Sequence, residues 1–138
     1  MKIDNIQIVE LPKISDPEGR GNLSVIENDI LPFEVKRVYY LYDVPSDASR
    51  GGHAHIELHQ CLIAVSGSFD VVVDNGVNRE IIHLNKPNKG LIIPNGIWRE
   101  IENFSSSAVC LALVSDVFKE EDYIREYKEF ISFKNRIS

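Results

Sequence analysis

The sequence predicts an all-β barrel or sandwich closed by a C-terminal α-helix. Three observations predict it. Short runs rich in β-branched and aromatic residues recur along most of the 138 residues with turn residues between them. Asp74-Asn75-Gly76 joins two of these runs with the residues that tolerate the positive φ of a tight hairpin. Only the last segment changes from a strand period to a helical one.

The strand-like runs cover residues 6–11, 21–27, 35–41, 61–65, 68–73, 80–84, 90–93 and 108–114. The first is Ile6-Gln7-Ile8-Val9-Glu10-Leu11, followed by the turn Asp16-Pro17-Glu18-Gly19-Arg20-Gly21. In residues 35–41 alternation puts Arg37 and Tyr39 on one face and Lys36, Val38 and Tyr40 on the other. Cys61 and Cys110 each lie in an apolar run, where small thiols pack as core residues. Tyr123, Ile124, Tyr127, Phe130 and Ile131 form the stripe of an amphipathic helix, with Ser115 or Asp116 placed to cap its start. That stripe reads as packing.

The chain is long enough for one domain with a core, taken as residues 1–138, and 43% of its residues are hydrophobic. A net charge of -6 and a pI near 5.2 argue against nucleic acid or an anionic membrane as a partner. No apolar run has the length of a signal peptide or of a membrane span, so a cytoplasmic protein is expected.

The chemistry concentrates in Arg50-Gly51-Gly52-His53-Ala54-His55, followed by Gln60 and Gly67. Residues i and i+2 of a strand share a face, so His53 and His55 project into one space. Pro94-x-Gly96, then Arg99 and Asn103, form a second group. Together the two groups resemble the paired motifs of cupins, in which three histidines and a glutamate bind a transition metal. Here Gln60 stands at the glutamate position and Arg99 at that of the third histidine. A guanidinium has no lone pair to offer a cation and carries a permanent positive charge. The resemblance therefore implies a cupin, a double-stranded β-helix or jelly-roll barrel with a C-terminal α-helix, but without a catalytic metal.

A metal-free histidine pair suits proton transfer next to a carbonyl, since imidazole takes and returns a proton near neutral pH. A nearby arginine or tyrosine donor would stabilise the enolate. Arg20, Arg37, Arg50 and Arg99 are candidates for a cationic pocket in an acidic protein, suited to a phosphate or diphosphate. Tyr39, Gln60 and Trp98 are further candidates for its lining. His59 and His83 have no motif of their own and read as surface or packing residues.

At a finer level the residues resemble the nucleotide-sugar 3,4-ketoisomerases that act on dTDP-4-oxo-6-deoxyglucose. The likeness lies in Gly19-Arg20-Gly21, residues 32–40, Arg50-Gly51-x-His53-Ala54-His55, Val65-Ser66-Gly67-Ser68, and the segment from Ser115-Asp116 to Asp122-Tyr123-Ile124-Arg125-x-Tyr127. It implies an isomerase that moves the ketone from C4 to C3 through an enediol, with no cofactor. His53 or His55 would be the base, and Arg20, Arg37, Tyr39, Arg50 and Arg99 would contact the diphosphate, sugar or enolate. It further implies a homodimer exchanging the N-terminal strand, and a product for an aminotransferase making a 3-amino-3,6-dideoxyhexose. The galacto configuration at C4 is the expectation. Gly52 departs from some members that carry phenylalanine there, a change expected to alter how tightly the sugar face is packed. The alternatives are a 3,5-epimerase of nucleotide 4-keto sugars, a non-catalytic nucleotide-sugar sensor and, last, a metal oxygenase. Against the epimerase, no aspartate is placed by the sequence beside His53 or His55.

The Gln60 and Arg99 replacements make a direct prediction. Metal analysis of the purified protein should find no stoichiometric divalent cation, and one bound through His53 and His55 would refute the reading.

Overall fold

The structure is a computed structural model and describes Ile3, residues 5–27 and residues 29–137. Its strands are β1 (Gln7–Glu10), β2 (Lys13–Ser15), β3 (Asn22–Ser24), β4 (Arg37–Leu41), β5 (Ser49–His55), β6 (Gln60–Ser66), β7 (Phe69–Asp74), β8 (Arg79–Leu84), β9 (Lys89–Ile93), β10 (Trp98–Glu102), β11 (Val109–Val114) and β12 (Tyr123–Ile124). One 3-10 turn, Glu120–Asp122, precedes β12, and the helix α1 (Tyr127–Ile137) ends the chain.

Two five-stranded sheets, ordered β1-β9-β6-β11-β4 and β12-β5-β10-β7-β8, are antiparallel throughout. Leu62, Ala64, Leu91, Ile93, Cys110 and Ala112 of the first meet Phe69, Val71, Val73, Leu84 and Ile101 of the second in one buried cluster. The expected all-β barrel with a C-terminal helix is observed. A second apolar layer lies on the other face of the first sheet, where Cys61, Ile63, Ile92 and Leu113 are covered by Leu31 with Ile26, Ile30, Phe33 and Val35. Both cysteines are free and buried, as expected, and burial pushes each thiol up to about 12.

The hairpin after Asp74 forms, but through a four-residue loop in which Gly76 takes φ +92° and Asn75 Oδ1 accepts the Val77 and Asn78 amides. Gly67 is required as glycine between β6 and β7. It sits at φ +65°, and a Cβ there would lie 2.9 Å from the Ala108 Cα.

The helix begins later than its stripe suggested. Ser115 and Asp116 do not cap it: the Ser115 hydroxyl accepts the His59 amide and Asp116 pairs with Lys119. Tyr123 and Ile124 are strand residues, because the edge of β5 offers unpaired backbone groups that they satisfy opposite His55 and Ala54. The rest of the stripe behaves as expected, with Tyr127 and Phe130 packed on Trp98. Asp74 anchors the arrangement by accepting the Tyr127 hydroxyl at 2.8 Å and Arg79 Nε at 3.2 Å. Among the described residues no helix is long and apolar enough to cross a membrane.

Candidate active site

The site is built on β5 and its neighbours. His53 and His55 face inward and are 6% and 2% exposed. His53 pairs across the sheet with Arg99 of β10, but the next pair is Arg50 with Ile101, so three residues of β5 oppose two of β10. This bulge reverses the alternation. In a regular strand Arg50 would point opposite to His53, three positions away; with the bulge it lines the same cavity.

That cavity, about 300 Å³, is lined by Arg37, Tyr39, Leu41, Arg50, His53, Arg99, Tyr123 and Arg125. Arg99 is 2% exposed, and its Nε donates to Gln60 Oε1 at 3.0 Å and its Nη2 to the Tyr39 hydroxyl at 2.9 Å. Arg37 lies over the rings of Tyr39 and Phe118 and reaches the Tyr123 hydroxyl at 3.4 Å. Its buried Nε has no hydrogen-bond partner among the described residues. Arg125 stacks on Tyr123 and is forked to Glu120 at 2.8 and 2.9 Å.

Behind the cavity the histidines form a chain. His53 Nε2 lies 3.0 Å from His55 Nε2, and His55 Nδ1 lies 2.9 Å from Asp122 Oδ2. Tyr123 covers both rings, with centroids 4.9 Å from His53 and 4.4 Å from His55. His53 meets the cavity, whereas His55 stands one residue deeper, between His53 and the carboxylate.

Most of the expected residues converge: His53, His55, Arg37, Tyr39, Arg50, Gln60 and Arg99. Trp98 does not, because it alternates with Arg99 on β10 and so faces outward, under α1, where its indole N–H donates to Glu100. Gly52 is outward too, facing Trp98 and Glu100, so it does not shape the cavity. Arg20 sits on the exposed β2–β3 hairpin, paired with Asp16 and Glu18, and does not line the cavity. Sequence reasoning missed Asp122, Tyr123 and Arg125, and with them the aspartate said to be lacking beside the histidines. All three lie in the segment of likeness after Ser115-Asp116, where the apolar period runs through Tyr123 and mimics a helix stripe. His59 and His83 lie apart from the site, the first against Phe33 and the second on Asp70.

Comparison with known proteins places this geometry in context. The family described as FdtA: WxcM-like, C-terminal, matches residues 4–135. The chain is 39% identical, over 96% of its length and 94% of the relative's, to the TDP-4-oxo-6-deoxy-alpha-D-glucose-3,4-oxoisomerase of Aneurinibacillus thermoaerophilus. Among solved structures, the WlaRB TDP-quinovose 3,4-ketoisomerase from Campylobacter jejuni is 46% identical with a TM-score of 0.88, covering 94% of this chain and 99% of that one. The WlaRA TDP-fucose-3,4-ketoisomerase of the same organism is 36% identical with a TM-score of 0.89, covering 96% and 98%.

The site holds its histidines neutral. Burial pushes the His53 pKa down, and the charges of Arg99 and Arg125 add to it. Burial likewise lowers His55, against the hydrogen bond to Asp122 that raises it. Protons that the unfolded chain binds below pH 6.5 are thus refused by the folded one. This refusal costs nothing above pH 6.5 and lowers stability as the pH falls below it, by at most about 1.4 kcal/mol per pH unit for each histidine. Thermal unfolding between pH 7.5 and 5 should therefore show a smaller loss of Tm in a His53→Asn, His55→Asn double variant than in the parent. Equal losses would contradict the neutral pair.

Proposed function

The chain belongs to the FdtA, WxcM-like family, and on that premise we propose that it is a 3,4-ketoisomerase of TDP-4-oxo-6-deoxyglucose. The observation that carries the proposal is a neutral histidine, His53, at a cavity walled by four arginines, with a second histidine hydrogen-bonded behind it. A negatively charged sugar nucleotide supplies the anion that the arginines call for.

His53 takes the proton from C3. The C–H pair becomes the C3=C4 double bond, and the C4 carbonyl pair moves to its oxygen, which is protonated to give the enediol. Loss of the proton on the C3 oxygen then forms the C3 ketone, while the double-bond pair takes a proton at C4. No electrons are exchanged with a cofactor. The Tyr39 hydroxyl and Arg99, already bonded to each other, are suited to stabilise the enolate oxygen. Arg37, Arg50 and Arg125 are suited to the diphosphate, and Gln60 acts by holding Arg99. The donor set does not fit a divalent cation: the two histidines are bonded through their Nε2 atoms, and Gln60 is bonded to a guanidinium.

On the C4 configuration, similarity supports a reading different from the sequence expectation. Quinovose is 6-deoxyglucose and fucose is 6-deoxygalactose, and identity is higher to the quinovose enzyme, 46% against 36%. We therefore read the product as gluco rather than galacto.

Homodimerisation with exchange of the N-terminal strand stands as a proposal. Within the chain β1 pairs with β9 through four residue pairs, a pairing that a second copy can make equally. Sedimentation at micromolar concentration should give a dimer; a monomer would end this part of the reading.

Incubation with TDP-4-oxo-6-deoxyglucose in deuterated water, followed by NMR, should show a 3-keto sugar with deuterium at C4. A large diaxial coupling between H4 and H5, measured in ordinary water, marks the gluco product, and a small one the galacto. His53→Asn should keep TDP binding and lose about 10²–10⁴-fold in turnover. Binding without any product in the parent protein would favour a sensor.

A further inference from the structure

We propose that Asp122 is a positioning residue, fixing the tautomers of both histidines so that His53 offers its Nδ1 lone pair to the substrate and passes the resulting charge to His55. The proposal deepens the ketoisomerase reading and rests on it for the identity of the substrate, but not for the tautomers.

The argument follows the hydrogen bonds inward from Asp122. Its Oδ1 accepts the Glu57 amide at 2.8 Å, and Oδ2 also faces the Leu58 amide at 3.4 Å. A carboxylate so used has only lone pairs to offer, so the proton at its 2.9 Å contact belongs to His55 Nδ1. A neutral ring carries one N–H, which makes His55 Nε2 an acceptor. The 3.0 Å contact between the two Nε2 atoms then requires that His53 donate from its own Nε2. His53 is left with Nδ1 as its basic nitrogen. One carboxylate thereby sets the protonation of a ring two hydrogen bonds away.

The same chain directs the proton taken from carbon. As His53 Nδ1 gains the proton from C3, its Nε2 proton crosses to His55 Nε2. The first transfer breaks the C3–H bond and forms Nδ1–H on His53, the second breaks Nε2–H on His53 and forms Nε2–H on His55, and His53 becomes neutral again. The positive charge comes to rest on His55, hydrogen-bonded to Asp122. The return step runs the same bonds in reverse. The frame that holds Asp122 is local: its carbonyl accepts the Ile56 amide at 2.9 Å, and Tyr123, next to it, pairs with His55.

An asparagine at this position keeps the size and can still accept the Glu57 amide, but its amide N–H donates to His55 Nδ1 and inverts the chain. His55 would then carry its proton on Nε2, and His53 would have to move its own to Nδ1, removing the base from the cavity. Histidine-selective ¹⁵N NMR of the full-length protein should show Nδ1–H on His55 and Nε2–H on His53, with both assignments exchanged in Asp122→Asn. Turnover of TDP-4-oxo-6-deoxyglucose by that variant should fall about 10²-fold or more, with TDP binding retained, and Asp122→Glu should restore part of it. The proposal is overturned if His55 in the parent carries its proton on Nε2, or if Asp122→Asn turns over at the parental rate. Should Asp122→Asn not fold, the parental tautomers and the Asp122→Glu rate still decide. A parent with these tautomers but no turnover would remove the ketoisomerase reading and leave the tautomer assignment standing.

Discussion

The buried guanidinium of Arg99 is the constraint on which the rest of the site depends. A charge removed from water is expensive unless its donors are satisfied, and here the Gln60 amide oxygen and the Tyr39 hydroxyl accept from it. Those bonds orient Gln60 and Tyr39. The same charge lies across the sheet from His53 and helps to keep that ring neutral. An arginine at a metal-ligand position thus accounts for two properties of the cavity: a poor cation site and a neutral base.

The sequence made this much legible because strand alternation is a strict rule. It placed His53 with His55 and Arg37 with Tyr39, and the structure agrees. It should also have separated Trp98 from Arg99, since adjacent strand residues face opposite ways; the motif drew attention to Trp98 and the parity was not applied. Arg50 is the opposite case. Its inward direction depends on a bulge, one extra residue in β5 against β10, and nothing in the order Arg50-Gly51-Gly52-His53 marks which residue is unpaired. Asp122 was hidden for a different reason: the contact to His55 spans 67 positions. The apolar period downstream continued through Tyr123 and Ile124 and suggested a helix, whereas the open edge of β5 made them a strand.

That edge is what turns a structural detail into chemistry. By pairing with β5, the two residues of β12 bring Asp122 to one end of the histidine chain and the Tyr123 ring over both imidazoles. Tyr123 limits the water that reaches the rings, which strengthens the electrostatic terms acting on them. Arg125, held by Glu120, follows on the same short segment and lines the cavity. A stretch of six residues, 120–125, therefore supplies the carboxylate bonded to His55, the aromatic cover and one cationic wall.

Neutral histidines among arginines pose a difficulty for catalysis, because a base whose protonated form is disfavoured is a weak base. The substrate itself removes part of the difficulty. A diphosphate placed among Arg37, Arg50 and Arg125 cancels positive potential at the cavity, so the cost of protonating His53 falls when the sugar nucleotide is bound. The proposed proton relay would remove a further part by moving the charge onto the histidine that is hydrogen-bonded to Asp122. In the proposed mechanism the base would be strongest with the diphosphate present to offset the arginines, so that a site that resists protonation when empty would take a proton from carbon when filled.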